Sequence, residues 1–185
     1  MKNSTLKIET YQELDAFLKL IIKSINDGFF DCQRKETELG FVDLFVNLSC
    51  DDQPPVFLDM FYNGLCTNYF NSYDVELVTL QEDYDSAKEC LNDWCDFTHE
   101  KGYCTCFEDV LLQVLSDGNI VFEDHYQGMR IELGLIDVAE NFLKAFNNDP
   151  SHFIELVMEH ANGGSDGTTY DCWLQMATYG EVIYG

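Results

Sequence analysis

The sequence predicts a single α+β domain. Helical and strand-like hydrophobic periodicities share one chain, no linker long enough to divide them is present, and apolar residues make up 46% of the composition. At 185 residues, that content is enough for one sizeable core. The 14 Phe, 10 Tyr and 2 Trp need burial, which excludes a disordered acidic tail.

The elements follow in order. Thr10 and Glu13 form a capping-box pair, and Leu14, Phe17, Leu18, Ile21, Ile22 and Ile25 recur at helical spacing, so the spacing predicts a helix over 10–27 that ends at Asn26-Asp27-Gly28. From Leu39 to Ser49 the pattern alternates, with Val42, Leu44, Val46 and Leu48 on one face of a half-buried strand. Val56 to Tyr62 and Leu65 to Phe70 flank Asn63-Gly64, the dipeptide that best supplies the positive φ angles of a tight hairpin. A further strand runs from Asp74 to Leu80, and residues Glu82 to Glu100 read as a long amphipathic helix closed by Lys101-Gly102.

Phe107 to Leu115 suits a helix capped by Thr105 and Glu108, with a hairpin closed at Ser116-Asp117-Gly118-Asn119 as the alternative. Asn119 to Tyr126 and Met129 to Leu133 form a second hairpin around Gln127-Gly128. Three helices follow, Asp137 to Asn147, Ser151 to Ala161 and Thr169 to Tyr179, each opened by a residue suited to capping. Pro150 separates the first two, and the glycines at 163, 164 and 167 separate the last two; Glu181 to Gly185 reads as a short edge strand.

The formal charge of -24 is distributed unevenly. Residues 1–35 carry six Lys or Arg against five acids, near neutrality, whereas residues 36–185 carry four against twenty-nine. Such an acidic body repels a phosphate backbone, which excludes direct nucleic-acid binding and favours a basic partner. The first apolar stretch, Leu14 to Ile25, is broken by Lys19, Lys23 and Ser24, so neither a secretory signal nor a membrane span is expected and the chain reads as cytoplasmic. In that compartment the 8 cysteines are expected to be free thiols packed as small apolar residues.

No catalytic, metal or cofactor signature survives inspection of its spacing. Cys90, Cys95, Cys104 and Cys106, with His99, form the densest ligand cluster, but Cys90 and Cys95 project roughly 140° apart on a helix, unlike the close pairs of structural zinc sites. His152, Glu155 and Glu159 share the polar face of an amphipathic helix. His125 and His160 have no partner spacing for nucleophilic catalysis, and no serine sits in a G-x-S-x-G turn. Asp83, Asp85, Asp117 and Asp166 lack the alternating oxygens of a calcium loop, and Gly163-Gly164 lacks the strand and lysine of a phosphate loop.

The sharper signal lies within residues 82–100. Glu82, Asp85, Glu89, Asp93, Asp96 and Glu100 fall within an arc of roughly 80° on a helical wheel, opposite Tyr84, Ala87, Leu91, Trp94 and Thr98. Lys88, the one basic residue of the stretch, lies roughly 60° or more outside that arc. Like charges at i,i+4 cost about 0.2–0.5 kcal/mol per pair, so a face built for solubility alone would interleave lysines. Carboxylates recurring at about 5–6 Å approximate the phosphate spacing of a nucleic-acid strand, and Asp51, Asp52, Asp74 and Glu76 extend the negative field.

In its size, its acidity and this carboxylate ladder, the chain resembles the DNA-mimic anti-defence proteins of phages and plasmids, the anti-restriction and anti-CRISPR inhibitors. The resemblance implies a stoichiometric, often dimeric inhibitor without turnover or cofactor, set against the basic surface of a host nuclease or its recognition subunit. Two other readings stand beside it: a metal- or thiol-dependent enzyme using the Cys90–Cys106 region or His152 with Glu155, and an acidic oligomeric interaction protein.

Overall fold

The computed structural model describes residues 8–25, 56–67, 69–79, 82–89 and 107–185. The predicted strand at Leu39 to Ser49 lies outside the described residues, as do the second half of the helix predicted to Glu100 and the Cys90–Cys106 cluster. The described elements are α1 (Tyr11–Ile25), α2 (Val56–Leu65), a 3-10 helix (Tyr69–Tyr73), β1 (Val75–Leu77), α3 (residues 82–89), α4 (Phe107–Asp117), β2 (Ile120–Asp124), β3 (Met129–Leu133), α5 (Leu135–Asn148), α6 (Pro150–Ala161) and α7 (Gly167–Tyr179). An antiparallel sheet of order β1-β2-β3 alongside these helices makes the fold α+β.

The capping box at the start of α1 forms as its sequence dictates. Thr10 Oγ1 accepts from the Glu13 N–H at 3.2 Å, while the Glu13 carboxylate accepts from the N–H groups of Thr10 and Glu9. Buried Asp15 on α1 then reaches across to α2, where its Oδ1 accepts from the Val56 N–H at 2.6 Å and its Oδ2 pairs with Lys19 at 2.9 Å. The carboxylate thus meets the positive end of α2 and satisfies a helix-terminal donor.

Residues 56–65 form a helix, and the hairpin predicted around Asn63-Gly64 does not exist. Gly64 packs against α7: a Cβ there would stand 3.0 Å from both Cβ and the backbone N of Leu174. Its glycine serves close helix approach, and Asn63 turns its amide back onto the Asp59 carbonyl at 2.7 Å. The apolar run Val56, Phe57, Leu58, Met60, Phe61 is buried nearly all round, so periodicity alone could not separate helix from strand.

Among the described elements α7 is central, packing against α2, α5, α6 and the 3-10 helix. Its Trp173 is fully buried with Phe61, Phe142, Phe146 and Phe153, and Phe153 meets Phe142 and Phe146 edge to face with centroids 6.2 and 5.6 Å apart. Phe70 of the 3-10 helix contacts Phe122 of β2 and joins sheet to helices.

The helix starts of the C-terminal half differ from the predicted caps. Asp149 caps α6, accepting from the His152 N–H at 3.0 Å with Pro150 in the first turn, and Asp166 caps α7, accepting from Thr168 and Thr169. Asp137 lies inside α5, where its carboxylate accepts from the Gly134 N–H at 2.8 Å. The predicted C-terminal edge strand is likewise replaced: residues 181–185 are held by a side chain. Gln175, with no exposed surface, accepts from the N–H groups of Ile183 and Tyr184 and donates to the Tyr184 carbonyl. The second hairpin is present, with Gly128 at φ 66 and the Asp124 carboxylate accepting from the Gln127 N–H at 2.8 Å.

Candidate functional site

Exposed carboxylates lie on β1, on the turn before it and on α3. On α3, Ala87 is buried and Tyr84 half-buried, which sets the inward face; Glu82, Asp85 and Glu89 are exposed as the ladder requires. Asp83 and Lys88 are exposed too, so the solvent band is wider than the predicted arc. Asp93, Asp96, Glu100, Asp51 and Asp52 lie outside the described residues.

Asp74 and Glu76 are also exposed, and their placement is specific. Asp74 precedes β1 at φ 59, a left-handed conformation that Asp tolerates better than most residues, and its carbonyl accepts from the His125 N–H at 3.0 Å. Glu76 stands directly opposite Glu123 on β2, and Glu123 stands opposite Arg130 on β3. Two carboxylates facing each other across a ladder destabilise it. His125 approaches Glu76 at 3.5 Å, and Arg130 approaches Glu123 at 3.3 Å.

Arg130, Lys19 and Lys144 each lie within ion-pair distance of a carboxylate. Arg130 also reaches Glu132 at 3.1 Å, Lys19 pairs with Asp15, and Lys144 lies 3.7 Å from Glu181 while donating to the Tyr179 carbonyl. On α3 the exposed residues are Glu82, Asp83, Asp85, Ser86, Lys88 and Glu89, so its solvent face is predominantly acidic.

Two polar clusters escape sequence reasoning because their members are far apart in the chain. In the first, Asp124 Oδ2 accepts from the hydroxyls of Tyr179 at 2.8 Å and Tyr184 at 2.6 Å. Burial pushes the Asp124 carboxyl up, but the hydrogen bonds from Tyr184, the Gln127 backbone, Tyr179 and the Tyr126 backbone outweigh it and hold the carboxyl below its usual value. Burial, and then the Asp124 carboxylate, push the Tyr179 and Tyr184 phenols up. Tyr184 stacks on Tyr73 at 4.8 Å, and the Tyr73 hydroxyl donates to Asp171 at 2.8 Å. Burial raises the Asp171 carboxyl, against the hydrogen bonds from Tyr73 and Gln175 that lower it. This network fastens the C-terminal segment to sheet and helices.

The second cluster surrounds His160. Its Nδ1 lies 3.1 Å from Ser165 Oγ and its Nε2 lies 3.4 Å from the Asp59 carboxylate, a serine–histidine–aspartate grouping with no signature in the residue spacing. The grouping joins α2, α6 and α7. The imidazole is wedged edge-on to Trp173 at 4.9 Å and near Tyr170, Ser165 donates to the Tyr170 hydroxyl, and the Thr168 and Thr169 N–H groups at the adjacent helix start are taken by Asp166.

For the enzyme readings, His152 is half-buried, Glu155 is exposed, and Glu159 accepts from Thr169 Oγ1 at 3.0 Å, so this helix face is used for solvation and for joining α6 to α7. The Cys172 thiol is pushed up by burial and by the charges of Asp171 and Asp166, opposite to what a nucleophilic thiolate needs. Among the described residues, no group of three or more His, Cys, Asp or Glu side chains could hold a metal ion, and no helix is long and apolar enough to cross a membrane. No family model, curated protein or solved structure matches the chain.

Proposed function

We propose that this chain is a non-enzymatic acidic inhibitor of a phage or mobile element, one that imitates nucleic acid and occupies the basic DNA- or RNA-binding surface of a host defence nuclease complex in the cytoplasm. The observation that carries the reading is the exposure of Asp74, Glu76, Glu82, Asp83, Asp85 and Glu89, six carboxylates against the single lysine Lys88 on the described residues of β1, its preceding turn and α3. Side chains spaced by a helix turn offer a lysine- and arginine-lined groove a charge repeat close to that of phosphates. The long-range field speeds encounter, and complex formation is salt-sensitive because the contacts are ionic.

The test is competition for a defined target. A purified restriction or CRISPR nuclease complex is loaded with labelled duplex DNA, and the chain is titrated in. The reading expects stoichiometric displacement of DNA by the wild-type chain and its loss in Glu82→Lys/Asp85→Lys/Glu89→Lys. Inhibition that survives the triple reversal undiminished overturns this assignment of the surface.

A further inference from the structure

We infer that β3 is a self-complementary edge through which two copies of this chain pair, antiparallel, about a two-fold axis at Ile131. The inference is independent of what the acidic surface binds. Within the described sheet β3 has β2 as its strand neighbour on one side, and its outer side faces away from the sheet. Which backbone groups point outward follows from β2. Val121 spends its carbonyl on the Val78 N–H at 2.8 Å and its own N–H on Thr79 Oγ1 at 3.1 Å, both on the β1 side. Its opposite residue on β3, Glu132, is therefore in a non-hydrogen-bonded pair. By the alternation of an antiparallel ladder, Glu132 and Arg130 direct their N–H and C=O groups outward.

The outward residues also carry the charges. Arg130 and Glu132 are exposed, and so are Met129, Ile136 and Tyr126, the last at 80%. An incoming antiparallel strand bonds narrow pairs through outward-facing residues, so the registers available to a second β3 step by two. The register centred on Ile131 sets Arg130 of each copy opposite Glu132 of the other, Ile131 opposite Ile131, and Met129 opposite Leu133. Shifting by two opposes Arg130 to Arg130 or Glu132 to Glu132, and like charges directly opposite are unfavourable. One register is thus selected by charge, and the contact is isologous, as a two-fold dimer requires. The product is a continuous sheet of order β1-β2-β3-β3-β2-β1, in which β1 with Asp74 and Glu76 occupies the two far edges.

The remaining charge of each chain opposes this pairing at long range, while the strand sequence MRIEL is itself neutral. Added salt screens that repulsion, so the dimer tightens with salt, in contrast to the loosening expected of an acidic surface on a basic partner. The two ideas can therefore fail separately.

Sedimentation equilibrium of the full chain at low and high salt tests the pairing. The wild-type chain is expected to dimerise, more tightly at high salt. Arg130→Glu alone and Glu132→Arg alone each oppose like charges at both pairs and should raise the dimer dissociation constant about tenfold or more. An equimolar mixture of the two variants restores opposite charges at both pairs and should form a heterodimer of wild-type strength. Glu132→Pro removes an outward N–H without touching the bonds to β2 and should leave a folded monomer, a second arm in case a charge variant does not fold. A wild-type chain monomeric at all salt concentrations, or a dimer indifferent to these substitutions, overturns the inference.

Discussion

Gln175→Leu removes one amide group and leaves the side-chain volume nearly unchanged, so it isolates hydrogen bonding from packing. The amide of Gln175 is fully used. Oε1 accepts from Ile183 N–H at 2.9 Å and Tyr184 N–H at 2.7 Å, and Nε2 donates to Asp171 Oδ2 at 2.9 Å and to the Tyr184 carbonyl at 3.0 Å. At about 1 kcal/mol net for each bond, the loss sums to about 4 kcal/mol. The chain can reduce this by letting residues 181–185 lift away, which returns the backbone groups of Ile183 and Tyr184 to water, while Asp171 keeps the hydrogen bond from Tyr73. A destabilisation of about 2–4 kcal/mol is therefore expected in urea unfolding, accompanied by faster amide exchange at Ile183 and Tyr184 in the native state. A change under about 0.5 kcal/mol with unaltered exchange at those two amides would refute the role assigned to Gln175.

Gly64→Val brings a branched side chain against the Leu174 backbone, where even a Cβ stands at 3.0 Å, and should destabilise the fold by about 2 kcal/mol or more despite the higher helix propensity of valine; a stabilised variant would mean that α2 and α7 are not in close contact. Asp124→Ala removes the acceptor of two phenols and one backbone N–H and should cost about 2–4 kcal/mol at neutral pH. Because the Asp124 carboxyl is held below its usual value, its stabilisation is complete above that value and is lost as pH falls through the folded one, so the gap between wild type and variant in urea midpoint should close on acidification. Asp171 has the opposite sign: its carboxyl is raised by burial, so it favours the fold at low pH and less as pH rises through the raised value.

Most of the helices were legible in the sequence, because α1, α5, α6 and α7 carry both periodicity and terminal signals. Their starts were less so. A residue such as Asp137 suits a cap or a first-turn position equally, and only the backbone decides between them. The failure at Asn63-Gly64 has a different origin: a dipeptide that favours a turn locally was overridden by the burial of a continuous apolar run and by the need for a small residue facing Leu174. For the acidic surface, the exposure of Glu82, Asp85 and Glu89 was foreseeable from Ala87 and Tyr84 on the opposite face. The commitment of Arg130 to Glu123 was not, since it depends on strand register.

The proposed binding of the exposed carboxylates of β1 and α3 to a basic surface made for nucleic acid is accessible as an affinity. Its most direct measurement is the equilibrium constant of the chain for a purified defence nuclease complex across a salt series, taken for wild type and for the triple reversal at Glu82, Asp85 and Glu89. Wild-type affinity is expected to fall steeply with salt and to be abolished by DNA, and the variant to remain folded but bind weakly at every salt concentration. Equal affinity and equal salt dependence for the two proteins would contradict it.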